Sequence, residues 1–150
     1  MQQEKLWMFI TEFVRIYGFK PFIEMENECT IMPQIITESM VDCWNNSPKL
    51  ASSGIEFVKR WKPDILSQLS SLPNSWFKFV ISKESDWNEI DSCFLVPQLI
   101  KREQIILMPE GANRITLSKN RDIALQMAVN HGVRYSDRLH IVAWDRKVGV

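Results

Sequence analysis

The chain has 150 residues, of which 45% are hydrophobic and 24% are charged. This composition is typical of one folded domain and excludes disordered, collagen-like and coiled-coil proteins. Eighteen basic residues balance eighteen acidic ones, so no net charge attracts nucleic acid or an anionic membrane. No apolar run approaches the ~20 residues of a membrane span, and no signal peptide is recognisable. We therefore expect a single cytoplasmic domain over residues 1–150, with no membrane or direct nucleic-acid partner.

Helical and strand patterns alternate along the chain. Apolar residues recur at helical spacing over residues 6–17, and Gly18 provides a stop. Further helices are predicted over residues 63–72, 86–94 and 117–131. Strands are predicted over residues 21–26, 40–45, 76–82, 104–108 and 139–144. This alternation indicates the α/β class with a mainly parallel sheet.

In such a sheet, ligands bind beyond the carboxyl ends of the strands. Three polar segments occupy these positions: residues 26–30, 47–49 and 109–111. Lys49 is either a donor to a phosphate or carboxylate, or a solvated loop lysine. Glu26 and Glu28 either hold a ribose hydroxyl or a metal, or are surface charges. Glu110 lies in a turn that either presents backbone groups to a ligand or starts a helix.

Cysteine and histidine spacing excludes several kinds of site. Cys29, Cys43 and Cys93 are widely separated, and the sequence contains neither CxxC nor CxxxCxxC. It therefore has no self-contained ligand set for zinc or an iron–sulfur cluster, and three small buried thiols are the simplest interpretation. His131 and His140 cannot form an HExxH site, and no GxGxxG or Walker loop is present.

Five segments in order carry a family resemblance. They are IEMENECTIMP at 23–33, SPKLASSG at 47–54, WFKFV at 76–80, ILMPEG at 106–111 and YSDRLHIVAW at 135–144, followed by a KVGV terminus. Together they resemble the C-terminal part of the 7-carboxy-7-deazaguanine synthases, which are radical S-adenosylmethionine (SAM) lyases. The resemblance extends over nearly the whole chain.

The resemblance implies the C-terminal part of an open, reduced radical-SAM (β/α) barrel. The family converts 6-carboxytetrahydropterin to 7-carboxy-7-deazaguanine, with loss of ammonia. Its product is used in queuosine-type tRNA modification or in 7-deazaguanine DNA modification. The implied cofactors are SAM, a [4Fe–4S] cluster and magnesium, and the cluster and SAM supply the difficult chemistry.

The resemblance also implies roles for the residues at positions that match the family's motifs. SAM contacts are implied for Ser47, Pro48, Lys49, Met108, Pro109, Glu110 and Gly111, and a cofactor-side position is implied for Glu26, Asn27 and Glu28. Substrate contacts are implied for the carboxylate of Val150 and for His140, which is placed on the predicted last strand. No catalytic side chain and no metal ligand is assigned.

The chain also departs from the family pattern. Asn27 stands where the family has threonine, and Cys29 stands where it has glycine. The CxxxCxxC loop, a Gly-Gly-Glu-Pro strand end and the family's substrate-gripping arginine and glutamate are absent, so the resemblance begins midway through the family fold. Three interpretations remain open. In the first, the chain is the C-terminal half of a split enzyme, which is inactive alone and forms a homo-oligomer once an N-terminal half-chain that carries the cluster motif completes it. In the second, it is a fragment of a disrupted gene. In the third, it is a non-catalytic module that binds SAM, a deazapurine or another protein.

Overall fold

Strands and helices alternate throughout the computed structural model, which describes residues 3–147. The strands are β1 (Glu24–Asn27), β2 (Cys43–Asn46), β3 (Ser75–Ile81), β4 (Ile105–Pro109) and β5 (Arg134–Tyr135). The α-helices are α1 (Gln3–Tyr17), α2 (Ile35–Glu38), α3 (Phe57–Arg60), α4 (Pro63–Ser71), α5 (Asp86–Ile90), α6 (Arg114–His131) and α7 (Leu139–Trp144). A π-helical turn, Asp91–Leu95, extends α5, and two 3₁₀ turns occur at Ala51–Ser53 and Arg102–Gln104.

The five strands form one parallel sheet in the order β1-β2-β3-β4-β5. The α/β class with a parallel sheet is thus confirmed. Because parallel crossovers are right-handed, a sheet whose spatial order follows the chain order carries its crossover helices on the same face. This is the arrangement of part of a β/α barrel, in contrast to a doubly wound sheet, whose strand order reverses.

The two faces of the sheet differ in polarity because side chains alternate along each strand. On one face Phe77, Phe79 and Leu107 are fully buried, and they pack with Leu66 of α4 and Ala124 of α6 in the main core. By strand register, the other face carries Glu24, Glu26, Cys43, Asn45, Trp76, Lys78, Val80, Ile106, Met108 and Arg134. We call this second face the open face.

Most of the predicted elements are confirmed, with boundaries that shift by a few residues. Helix α1 ends where Gly18 adopts a left-handed backbone with φ 75°, and α6 ends in the same way at Gly132 with φ 64°. Strand β3 starts at Ser75, one residue before its predicted start. Strand β1 is shorter than predicted, since residues 21–23 precede it as an irregular segment. None of the helices in residues 3–147 combines the length and apolar character needed to cross a membrane.

The predicted last strand, over residues 139–144, is wrong: this segment is the helix α7. The sheet position beside β4 is taken by β5, which sequence reasoning missed because it has only two residues. Short apolar runs do not distinguish a strand from a helix by periodicity. In α7 only Ile141 is buried, and Arg114 donates to the carbonyls of Val142 and Ala143 near its C-terminus. His140 is therefore on a helix and not on a strand.

Candidate functional site

A cleft of ≈ 570 Å³ lies on the open face, at the carboxyl ends of the strands. We call it the strand-end cleft. Parallel strands place all their carboxyl ends at one edge, which is why residues distant in sequence meet there. Its lining residues are Glu26, Asn27, Glu28, Asn45, Ser47, Lys49, Lys78, Val80, Met108, Asp137, Arg138 and His140. The cleft thus brings together side chains at or after the ends of all five strands, and His140 of α7.

Lys49 projects into this cleft from the loop that follows β2. Its Nζ lies 3.4 Å from Ser47 Oγ and 3.3 Å from Glu28 Oε1. The Lys49 side chain is 28% exposed and that of Glu28 is 61% exposed. These long contacts leave the ammonium group able to bind an additional acceptor. The sequence-based grouping of Ser47, Lys49 and Glu28 at one strand edge agrees with this geometry.

Lys78 and Glu26 form a second ion pair in the cleft, with Nζ and Oε1 2.6 Å apart. The Lys78 side chain is only 18% exposed, whereas that of Glu26 is 73% exposed. Sequence reasoning did not select Lys78. The signal was present, because the alternation of β3 places Lys78 on the face opposite the apolar Phe77 and Phe79.

Arg138 and Asp137, in the turn before α7, were also missed. Asp137 is paired with Arg121 of α6 at 2.8 Å. Arg138 lines the cleft, and its Nε is buried with no hydrogen-bond partner among the residues that the structure describes. Because the turn was predicted to lead into a strand, sequence reasoning selected neither residue.

Asn27 contributes chiefly to the frame of the site. Its Nδ2 donates to Asn46 Oδ1 at 2.7 Å, and its Oδ1 accepts from the backbone N–H of Cys29 at 2.9 Å. Asn46 in turn donates to Ser75 Oγ at 2.8 Å. This chain of hydrogen bonds ties the ends of β1 and β2 to the start of β3, on the side away from the open face.

The predicted contact segment Met108–Gly111 is divided between several environments. Met108 lines the strand-end cleft, whereas Pro109 is buried on the opposite face. Glu110 lines a smaller adjoining hollow of ≈ 80 Å³ together with Pro48 and Lys49. The two predicted SAM-contact segments therefore lie next to each other.

Gly111 is required by the close approach of α6. A Cβ atom at this position would lie 2.5 Å from the Cα atom of Leu117 and 2.6 Å from its backbone nitrogen. Its role is steric, since the missing side chain lets the first turn of α6 sit directly against the end of β4. This packing sets the path of the turn that carries Glu110.

The cysteines do not fit a [4Fe–4S] cluster. Cys29 is fully buried, and burial raises the pKa of its thiol to about 12, whereas cluster ligands are thiolates. Cys43 lies on β2 and Cys93 lies in the π-helical turn after α5. Within residues 3–147, no three His, Cys, Asp or Glu side chains are grouped closely enough to hold a metal ion. We derive no step through a cluster or magnesium bound to this chain.

The two predicted substrate contacts have different outcomes. His140 lies at the strand-end cleft, although its position on α7 leaves it exposed. Val150 lies outside the described residues. His140 is therefore at the cleft on a helix and not on the predicted strand, and its contact with substrate stays a prediction.

Two curated proteins resemble the chain over most of its length. The 7-carboxy-7-deazaguanine synthase of Pyrobaculum aerophilum is 31% identical over 127 residues, which cover 85% of this chain and 54% of that protein. The 7-carboxy-7-deazaguanine synthase of Halobacterium salinarum is 29% identical over 128 residues, which cover 72% of this chain and 50% of that protein. No family model matches the sequence.

These matches agree with the resemblance carried by the five sequence segments and with the parallel α/β sheet. The chain spans about half the length of the curated relatives it matches. It is similar to two 7-carboxy-7-deazaguanine synthases over most of its own length and over about half of theirs.

Proposed function

We propose that the chain is the C-terminal half of a radical SAM 7-carboxy-7-deazaguanine synthase and supplies contacts to SAM and to the substrate. The sequence relationship to the two named synthases carries this proposal. The reaction is the conversion of 6-carboxytetrahydropterin to 7-carboxy-7-deazaguanine. Because the described residues hold no ligand set for the cluster, the proposed activity requires a second half that carries CxxxCxxC.

The strand-end cleft has the chemistry to bind SAM. Three cations (Lys49, Lys78 and Arg138) and three carboxylates (Glu26, Glu28 and Asp137) line it. SAM carries a carboxylate, an ammonium group, a sulfonium and ribose hydroxyls, so a cleft of mixed charge matches it better than one of a single sign. The volume of ≈ 570 Å³ lies within the range of small-molecule sites, about 300–1,000 Å³.

The roles proposed for the side chains are binding and orientation. Lys49 and Ser47 donate hydrogen bonds to polar groups of SAM, and Met108 forms an apolar wall beside them. Arg138, whose Nε has no partner among the described residues, donates to the anionic pterin substrate, with His140 nearby. When SAM and the reduced cluster are bound together, they supply the radical chemistry. The side chains of this chain hold SAM and the pterin substrate in place.

The second half is proposed to dock at the free edge of β1. Strand β1 ends the sheet on one side. Phe22, two residues before β1, is 71% exposed. Phe9, Tyr17 and Phe19 contact the ring of Phe13 and are each more than half exposed, and contiguous exposed apolar surface marks an interface. A βα unit that continues the sheet would pair with this edge and cover these rings.

The experiment is anaerobic reconstitution with iron and sulfide, followed by an assay with SAM and 6-carboxytetrahydropterin. It is run on the chain alone, and on the chain mixed with the N-terminal part of the P. aerophilum relative. We expect neither cubane absorbance nor product from the chain alone, and 7-carboxy-7-deazaguanine from the mixture. Cubane absorbance with SAM cleavage by the lone chain would contradict the proposal. Binding of SAM or of a deazapurine without turnover in any mixture would favour a non-catalytic module.

A further inference from the structure

Arg60 and Glu89 form a buried ion pair beneath the loop that carries Lys49. The Arg60 side chain is 6% exposed and that of Glu89 is 17% exposed. Arg60 ends α3 and Glu89 lies in α5, so two separate elements supply the pair. Removing two charges from water is costly, and a buried pair is tolerated when further hydrogen bonds satisfy its remaining atoms.

Both side chains also bond to the backbone of this loop, and the Arg60 nitrogen that contacts Glu89 is the one that reaches Lys49. One guanidinium nitrogen of Arg60 donates to the carbonyl of Lys49 at 3.0 Å, and Arg60 Nε donates to the carbonyl of Ile55 at 2.9 Å. The second carboxylate oxygen of Glu89 accepts the backbone N–H of Ala51 at 2.8 Å. The pair therefore bonds to the backbone of the loop at its start (Lys49), near its middle (Ala51) and at its end (Ile55).

Apolar packing contributes little else to the order of this loop. Leu50 is buried, whereas residues 51–55 are all exposed. The loop contains a single 3₁₀ turn, Ala51–Ser53, followed by Gly54 with φ 75°. The 3₁₀ turn has its own hydrogen bonds, from Ser53 to the Leu50 carbonyl and from the Gly54 N–H to the Ala51 carbonyl. Leu50 and the polar contacts with Arg60 and Glu89 are what join this turn to the rest of the protein.

We propose that Arg60 and Glu89 are positioning residues that hold the backbone of the 49–55 loop and thereby aim Lys49 into the strand-end cleft. They touch no ligand themselves. The consequence for SAM affinity rests on the proposed function, whereas the ordering of the loop does not. Only arginine has a planar fork that can reach two carbonyls and a carboxylate at once, so lysine is not an equivalent replacement.

The test compares Arg60→Met, Arg60→Lys and Glu89→Gln with the matched control Gln104→Met. Gln104 is also buried and bonded, since it accepts from Ser70 Oγ at 2.7 Å and donates to the Ser70 carbonyl at 3.0 Å, but it does not line the cleft. The readouts are unfolding in urea, hydrogen exchange of the Ala51 amide, and SAM affinity of the protein combined with the N-terminal half of the relative. Glu89→Gln preserves size and keeps the test valid if Arg60→Met fails to fold.

We expect the Arg60 and Glu89 variants to exchange the Ala51 amide faster and to bind SAM on the order of tenfold more weakly, as loss of charge-assisted hydrogen bonds predicts. Gln104→Met loses stability but retains wild-type values of both other readouts. The proposal is overturned if Ala51 exchange in Arg60→Met and Glu89→Gln matches the control, or if the loop loosens while SAM affinity stays unchanged. If wild-type protein binds no SAM, the proposed function fails, and Ala51 exchange alone then decides whether the pair orders the loop.

Discussion

Cys29 combines a fully buried side chain with a left-handed backbone. Its φ is 59°, a left-handed backbone conformation that costs free energy for residues other than glycine. The N–H of Cys29 bonds to the Asn27 side chain at 2.9 Å, which closes a tight turn after β1. Since the family resemblance places glycine here, the backbone geometry accounts for the preference, and the burial of sulfur compensates for the strain in this chain.

Replacement of Cys29 separates these two contributions. Cys29→Ala keeps the positive φ and loses the buried sulfur, whereas Cys29→Gly loses the sulfur and relieves the strain. We therefore expect Cys29→Ala to be less stable than Cys29→Gly by about 1 kcal/mol. Urea denaturation of the two variants measures the difference, and an alanine variant at least as stable as the glycine variant would contradict it.

Cys29 also predicts a dependence of stability on alkaline pH. Burial raises the pKa of the thiol from 9.0 to about 12, so above pH 9 the unfolded thiol ionises while the native one keeps its proton. The native state then binds more protons, and its stability falls as pH rises through the window from about 9 to about 12. Between pH 8 and pH 10 we expect wild type to lose about 1 kcal/mol more than Cys29→Ala. Denaturation curves at both pH values test this, and equal losses would place Cys29 in a solvated environment.

Lys49 is the residue on which we expect SAM affinity to depend most. Lys49→Ala removes a charged donor from the cleft, at an expected cost of about 1–3 kcal/mol in SAM binding. The control is Lys59→Ala, because Lys59 is an exposed lysine paired with Glu56 at 2.9 Å and is absent from the cleft lining. Equilibrium dialysis of the completed protein with labelled SAM compares the two. Equal affinities for both variants would remove Lys49 from the site.

At the scale of elements, the contact between β4 and α6 depends on Gly111. In Gly111→Ala the new methyl group would meet the Leu117 backbone at 2.5 Å, so α6 must move, and we expect a loss of about 2–3 kcal/mol. Gly18→Ala is the matched control. Gly18 has φ 75° and no atom within 4 Å of a built Cβ, so dihedral strain alone should cost about 1 kcal/mol. Thermal unfolding ranks the two, and the reverse order would show that α6 adjusts freely.

The elements differ in how far the sequence determines them. Strand β3 was predictable because residues 76–81 are aromatic or β-branched except for Lys78. The alternation of side chains along a strand then fixes the side to which Lys78 points. Helix α7 was not predictable, since six apolar-rich residues carry no decisive period and its end is held by Arg114, which is distant in sequence. The Arg60–Glu89 pair likewise joins positions 29 residues apart. The strand-end segments of the site were accessible from sequence, whereas the contacts that hold them were not.

At the scale of the whole molecule, one edge of β1 pairs with no other strand within residues 3–147. The carbonyls of Ile23 and Asn27 accept from the backbone of Cys43 and Ser47 in and after β2. Because bonded residues alternate along a parallel strand, the backbone groups of Glu24 and Glu26 face away from β2. The apolar residues next to this edge differ in exposure. Phe22 is 71% exposed, whereas Ile23 and Met25 pack against the core.

This edge gives an exchange pattern with an internal control. In the isolated chain we expect the amides of Glu24 and Glu26 to exchange quickly and those of Met25 and Asn27 slowly. Adding the N-terminal half of the relative should protect Glu24 and Glu26 and improve solubility, since exposed apolar surface near this edge becomes covered. NMR-detected exchange follows each amide. Slow exchange at Glu24 and Glu26 in a monodisperse monomer would mean that the edge is already covered.

The order of the strands has a genetic consequence. In a sheet whose neighbours in space are also neighbours along the chain, one cut in a connecting loop separates only one pair of strand edges. Each product keeps its other strand pairings and the helices that cover them. In a doubly wound sheet only some cuts have this property, because a cut within the half before the crossover leaves strands of one product between strands of the other. A fold of the present kind can therefore be encoded by two genes as readily as by one, because the two products reassemble by pairing a single pair of strand edges.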